Sequence, residues 1–155
     1  MTKLENLEQM AHDEGIHIYD YTFSETKKAA CYFDDTGYKA ILLNADKIEN
    51  AVEETIILAE EIGHFATDSL YLIEATANTE AARSSRTKYE AQAKKWAIKK
   101  ILPAEAILSC WEKGVFQLYE MADELAFSSD YIEKAITYYQ SKGELPQNWE
   151  LEHIY

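Results

Sequence analysis

The stretch "LAEEIGHFAT", residues 58–67, places two adjacent carboxylates and a histidine within a strongly apolar part of the chain. The polar members are Glu60, Glu61 and His64. Their apolar neighbours are Ile56, Ile57, Leu58, Ile62 and Phe65. An unpaired charge among apolar side chains is costly. The pattern therefore indicates that a partner holds these three side chains.

The spacing of this polar trio corresponds to one side of an α-helix. At about 100° per residue, Glu60 and His64 stack four residues apart, and Glu61 lies beside them. Another face carries small and apolar residues and is predicted to pack on a sheet: Val52, Thr55, Ala59, Ile62, Gly63 and Ala66. Gly63 has no side chain, so a second backbone can approach the helix closely there. The flanking apolar residues predict a helix that is buried nearly all round.

The trio matches the spacing of a metal-binding motif. In H-E-x-x-H, two histidines bind zinc and the glutamate between them is the general base. Here the string is E-E-x-x-H, and a carboxylate oxygen is also an acceptable zinc ligand. Glu60 and His64 are therefore candidate metal ligands, and Glu61 is a candidate general base. The alternative is an ordinary solvated helix face, which fits a motif this short far more often.

A candidate third ligand is Glu90, at the start of "YEAQAKKWAIKKILP", residues 89–103. Ala93 and Ala97 lie on the same predicted helix face, and small side chains let helices pack closely. This packing would bring Glu90 against the first helix, where a catalytic zinc needs a third protein ligand. The alternative is an ordinary first-turn glutamate, favoured by the helix dipole.

Hydrophobic periodicity predicts an α+β fold in a single domain, residues 1–155. The first part, about 1–67, contains one helix that ends at Gly15 and then a small, mostly antiparallel three-stranded sheet. The strands are predicted near 16–21, 29–33 and 38–43, the last two forming a hairpin around "DDTG". The polar-trio helix follows, from about Asp46 to Thr67.

The second half is predicted to be helical. "DSLYLIEATANTEAARSS", residues 68–85, breaks the periodicity and is expected to be a long, partly ordered loop. The helical half covers about 85–141 and includes the predicted third ligand. Its helices are predicted at 86–102, 104–113, 117–125 and 129–140, the last with a serine N-cap.

Composition narrows the class of protein. The chain is 47% hydrophobic and 12% aromatic, which is typical of a globular domain, and its net charge is −13. Such a surface repels phosphate backbones and anionic lipid, so neither nucleic acid nor membrane is an expected partner. Cys31 and Cys110 form no C-x-x-C pair and are interpreted as buried free thiols in a reducing compartment. The N-terminal residues do not resemble a secretory signal, so the expected location is the cytoplasm.

Taken together, these stretches resemble the ImmA/IrrE family of metallo-endopeptidases, which are zincin-like proteins common on prophages and other mobile elements. "LAEEIGHFAT", "YEAQAKKWAIKKILP" and "YEMADELAFSSDYIEKAITYY" carry the resemblance, which extends from about Gly15 to Tyr139. It implies that Glu60, His64 and Glu90 bind the metal and that Glu61 is the catalytic base. The metal would be zinc, and the substrate would be a helix-turn-helix repressor of the same mobile element.

One residue departs from the family pattern. Glu60 stands where the motif usually has histidine, so two carboxylates and one imidazole would surround the ion. Harder ligands favour manganese or similar ions as an alternative to zinc. They also leave open a second interpretation, in which the protein is catalytically inactive and binds the repressor as a regulatory module.

Two further patterns in the sequence suggest other functions. Glu150 and His153 form a second E-x-x-H, and paired E-x-x-H helices occur in di-iron carboxylate bundles. The predicted hairpin does not fit such a bundle, so a di-metal oxidase is the weaker alternative. Residues 119–139 have a helix-turn-helix pattern, but Lys134 is the only base in its second helix, which favours two packed structural helices over DNA binding.

Overall fold

A computed structural model describes residues 1–23, 25–70 and 80–147. The chain forms two compact units, Met1–Ala97 and Ile98–Tyr155. The helices are α1 (Lys3–Asp13), α2 (Ala51–Ala66), α3 (Glu80–Ile101), α4 (Ala104–Glu112), α5 (Leu118–Leu125) and α6 (Ser129–Ser141). The strands are β1 (Ile16–Asp20), β2 (Ala29–Phe33) and β3 (Lys39–Leu43), and a 3₁₀ turn spans Ala45–Lys47. The predicted α+β class with a helical C-terminal half is confirmed.

Helix α1 has a capping box at its start and a glycine just after its end. Thr2 and Glu5 form a reciprocal capping box, in which each side chain accepts from the other's backbone N–H. The helix stops before Gly15, whose φ of +72° is a left-handed conformation that glycine adopts without strain. Leu7 and Ala11, four residues apart on one face, are buried.

The sheet has the order β1-β3-β2, with β3 in the centre. β2 and β3 form the predicted antiparallel hairpin, whereas β1 pairs with β3 in parallel, so the sheet is mixed. Alternating hydrophobicity marks a strand but does not encode its direction, which is why the parallel pair was not predicted. Ile41 of the central strand is fully buried and lies opposite Ile18 on one side and Cys31 on the other.

Helix α2 is buried along most of its length, as predicted. Asn50 caps it by accepting from the backbone N–H of Glu53, so the helix starts later than the expected position near Asp46. Every residue from Glu53 to Phe65 is buried or half-buried. The packed face differs from the predicted one because Val52 and Ala66, near the two ends, are exposed; the buried residues are Thr55, Leu58, Ala59, Ile62, Gly63 and His64.

Helix α3 begins at Glu80, earlier than the expected start at residue 86. Residues 80–85 of the predicted loop are therefore helical, while residues 71–79 of that loop lie outside the described part of the chain. The first turns of α3 are mostly exposed and carry no apolar stripe, so periodicity could not detect them. Within the described residues, no helix combines the length and the apolar character that a membrane span requires.

The unit Ile98–Tyr155 has its own apolar core around α4, α5 and α6, built from Ile107, Cys110, Met121, Ile132, Ile136 and Tyr139. Ser128 supplies the predicted serine N-cap of α6 by accepting from the N–H of Tyr131. The hydroxyl of Tyr139 donates to the carbonyl of Leu102 at 2.8 Å. Both cysteines are free thiols: Cys110 is buried in this core, and Cys31 is half-buried in β2.

Candidate metal centre

The candidate centre is built where α2 and α3 touch at Gly63. A Cβ placed on Gly63 would lie 2.7 Å from the carbonyl oxygen of Ala93 and 3.2 Å from its Cα, so no side chain larger than hydrogen fits. Ala93 and Ala97 are both fully buried. The close approach predicted from the glycine and the small alanines is confirmed.

This contact brings His64 and Glu90 together. Nε2 of His64 lies 3.3 Å from Oε1 of Glu90, and the side chains are 6% and 41% exposed, respectively. Glu90 lies ten residues after the first residue of α3, well inside the helix. Its position therefore cannot be explained as that of a first-turn glutamate favoured by the helix dipole.

The turn that ends α2 places Ser69 beside His64. Asp68 adopts a left-handed conformation with φ of +52°, which aspartate tolerates better than most residues. The chain consequently turns back, and the N–H groups of Ser69 and Asp68 donate to the carbonyls of His64 and Phe65, respectively. This is the Schellman arrangement of a helix C-terminus. It returns the buried Ser69 to the side of the helix that carries His64.

Ser69 also sets the orientation of the imidazole. Its backbone carbonyl lies 2.8 Å from Nδ1 of His64, and a carbonyl can only accept, so Nδ1 carries a proton. Nε2 is thereby directed at Glu90. Hydrogen bonding of the second ring nitrogen to a carbonyl is the usual second-sphere support of a metal-binding histidine.

The electrostatics of the pair call for a positive charge between its atoms. Burial lowers the pKa of His64, but the hydrogen bonds to Glu90 and Ser69, together with the negative charges of Glu61 and Glu90, outweigh it, so the pKa is raised overall. A neutral Nε2 and a carboxylate oxygen both present lone pairs, and a proton or a cation must separate them. The observed 3.3 Å exceeds the about 2.7–2.9 Å of a strong charge-assisted hydrogen bond.

Glu60 is close enough to this pair to interact with it electrostatically. Burial raises its pKa to about 7; Lys94 and His64 oppose the rise, and the charges of Glu61 and Glu90 add to it. In residues 1–23, 25–70 and 80–147, no three His, Cys, Asp or Glu side chains are arranged to hold one ion. The structure thus joins two of the predicted ligands, His64 and Glu90, and the role of Glu60 as the third stays a prediction.

Glu61 faces the sheet. The thiol of Cys31 donates to its Oε2 at 2.9 Å and approaches its backbone carbonyl at 3.4 Å. Burial raises the pKa of Glu61, and the Cys31 hydrogen bond and the charge of His64 act against that rise. The role of general base is a prediction that this placement leaves open.

Three residues around the centre were missed in the sequence: Cys31, Ser69 and Lys94. Asp68, which tolerates a left-handed conformation, was the available signal for the turn that recruits Ser69. Lys94 follows Glu90 by four residues, so helical spacing could have placed it beside that carboxylate. Cys31 had no comparable signal, because strand alternation gives the face of a residue but not its partner.

The donor types fit a divalent cation, since carboxylate oxygens and an imidazole with a braced second nitrogen are zinc ligands. The competing di-metal site rested on Glu150 and His153, which lie outside the described residues.

A known peptidase family matches most of the chain. The model of a peptidase family described as the IrrE N-terminal-like domain matches residues 11–137, which include the whole candidate centre. Neither a curated protein nor a solved structure gives a significant match.

Proposed function

The chain belongs to the ImmA/IrrE family of metallopeptidases, and from that premise we propose that it is a metal-dependent endopeptidase acting on one protein partner in the cytoplasm. The partner we propose is a helix-turn-helix repressor of the prophage or other mobile element that encodes the chain. A DNA-binding repressor carries a basic surface. The net charge of −13 would favour encounter with it and disfavour direct binding to DNA.

The observation that carries the proposal is the pairing of His64 and Glu90 across the Gly63–Ala93 contact. Two side chains from separate helices meet there, with Nε2 of His64 3.3 Å from Oε1 of Glu90, an arrangement that a shared proton or a bound cation would stabilise. Glu60 would complete the ligand set. When bound, a divalent cation supplies Lewis acidity that makes water nucleophilic near neutral pH. Zinc is the ion we expect, with manganese as the alternative.

Residues of the chain would transfer the proton and hold the metal-binding imidazole in place. Glu61 would take a proton from the attacking water as the new C–O bond forms at the peptide carbonyl. It would then pass that proton to the leaving amine as the C–N bond breaks. Ser69 keeps the imidazole of His64 in one orientation throughout. The apolar neighbours of the trio limit access of bulk water, which strengthens electrostatic interactions at the centre.

Replacing the proposed base tests the catalytic step. Glu61→Gln keeps the shape of the side chain but cannot accept the proton, so cleavage should fall by about 10²-fold or more. Folding and metal binding should be nearly unchanged. Glu54→Gln makes the same substitution at another half-buried position of α2 and should cleave like the wild type. Cleavage by each variant is measured by incubation with the cognate repressor and mass spectrometry of the fragments.

Calorimetric titration with Zn²⁺ and Mn²⁺ tests the metal site. The wild type should bind more tightly than a His64→Ala variant, and Glu60→His, which restores the two-histidine motif, should bind zinc more tightly still. Equal binding by the wild type and His64→Ala would remove the metallopeptidase proposal.

The second candidate function is a non-catalytic, repressor-binding module, favoured by Glu60 at the position where histidine is usual. The two candidates differ in what happens after binding. If the wild type and Glu60→His both bind the repressor and neither cuts it, the binding module is the better account.

A further inference from the structure

Cys31 is the sheet residue that touches the proposed general base. Its Sγ lies 2.9 Å from Oε2 of Glu61, and the same sulfur lies 3.4 Å from the backbone carbonyl of that residue. We propose that Cys31 is a positioning residue, whose thiol holds Oε2 so that Oε1 of Glu61 is presented to the reacting water. This inference rests on the function proposed above.

The thiol is suited to donate. Burial raises the pKa of Cys31, and the negative charge of Glu61 raises it further, so the sulfur keeps its proton near neutral pH. A protonated thiol beside a carboxylate is a donor facing an acceptor. Among the described residues, Oε1 of Glu61 accepts no hydrogen bond, so the contact engages one carboxylate oxygen and leaves the other for chemistry.

The two elements that carry the contact are regular and mutually packed. Cys31 lies in the middle of β2, opposite Ile41 of the central strand, and Glu61 lies in the buried middle of α2. A donor on a strand therefore limits the rotation of a carboxylate on a helix. Precise placement of a catalytic group matters because an error of about 1 Å can reduce the rate 10²-fold.

Steady-state kinetics with the cognate repressor tests the role. Cys31→Val fills the space without a donor, and Cys31→Ala is the smaller non-donor. Each should lower kcat by about 10-fold with KM unchanged, the lower end of the range for outer-sphere partners. Cys31→Ser restores a donor and should recover part of the loss. Cys110→Ala removes the other thiol, which is buried in α4, and should leave kcat at the wild-type value.

Infrared spectroscopy provides a readout that does not depend on cleavage. The S–H stretch absorbs in a window free of other protein bands, and the wild-type minus Cys31→Val difference isolates the Cys31 band. That band should lie at lower frequency than the Cys110 band, because donation weakens the S–H bond, and should move up in Glu61→Gln.

The outcomes separate the two proposals. A wild type that never cleaves would remove the proposed function and this inference with it. An active wild type with Cys31→Val and Cys31→Ser equal in kcat would overturn the positioning role alone, as would an S–H band that Glu61→Gln does not move.

Discussion

Helices α2 and α6 each bury one face, but the buried side chains differ in chemistry. In α6 the buried side chains are apolar or aromatic, and the charged Glu133 and Lys134 are exposed. In α2 the residues Glu60, Glu61 and His64 lie within the buried or half-buried middle of the helix. α6 follows the amphipathic rule of a structural helix. α2 violates it at three positions that share one side of the helix.

The buried polar residues of α2 mark it as the functional helix of the two. Burial raises the pKa of Glu60 and of Glu61, which means that the folded state makes their charged forms costly. Violations of this kind, in an otherwise consistent fold, are expected at functional sites. α6 should therefore respond to mutation through stability alone, and α2 through both stability and chemistry.

The largest expected effect on stability is in α6. Ile132 is fully buried, so Ile132→Ala should lower the free energy of unfolding by about 2–5 kcal/mol. Glu133→Ala, at the adjacent exposed position, should change it by less than about 0.5 kcal/mol. Urea unfolding followed by circular dichroism measures both. Equal losses of unfolding free energy would show that the core of this unit is not packed around Ile132, and α6 would then not be the structural helix described above.

An intermediate effect is expected at the contact between α2 and α3. Gly63→Ala improves helix propensity by about 1 kcal/mol but forces a Cβ against the backbone of Ala93, which should cost about 1–3 kcal/mol net. It should also weaken metal binding by separating His64 from Glu90. Ala66→Val, at an exposed position of the same helix, is the control. Stabilisation by Gly63→Ala would mean that the two backbones do not touch.

The smallest effect concerns Glu60 in metal-free protein. Its folded pKa of about 7 exceeds the ordinary 4.5, so its contribution to stability is complete below pH 4.5 and is lost as the pH rises through 7. Glu60→Gln has no such loss. The variant should match the wild type below pH 4.5 and exceed it by about 1 kcal/mol at pH 8, since solvent reaches part of the side chain.

Denaturant unfolding at the two pH values, in the presence of a chelator, makes that comparison. In a second series without chelator, added Zn²⁺ should reverse the order at pH 8, because the cation stabilises the ionised carboxylate that glutamine lacks. An unchanged order with zinc would argue against Glu60 as a ligand.

The sequence was informative where a residue type admits few explanations. Gly63 inside an apolar helix predicted a close backbone contact, and Ala93 and Ala97 predicted the surface that meets it. The hairpin between β2 and β3 followed from a turn sequence flanked by two apolar runs. These features depend on local sterics, which a single sequence expresses directly.

The remaining features depend on tertiary structure. The parallel pairing of β1 follows from the route of the chain between strands, not from its own residues. The early start of α3 lies in exposed turns without an apolar stripe. The thiol–carboxylate contact joins residues 30 positions apart on different elements, and only the folded arrangement of β2 and α2 reveals it.

The turn at Asp68 has a consequence for observing this centre by nuclear magnetic resonance. Because Nδ1 of the buried His64 donates to the carbonyl of Ser69, its proton is shielded from solvent and should exchange slowly enough to give a ring ¹H–¹⁵N resonance. The second nitrogen of the same ring, Nε2, faces Glu90. A metal ion bound between Nε2 and Glu90 would therefore change the chemical shift of the Nδ1–H resonance. One left-handed residue at a helix end thus provides an intrinsic reporter of the centre that needs neither substrate nor label beyond nitrogen.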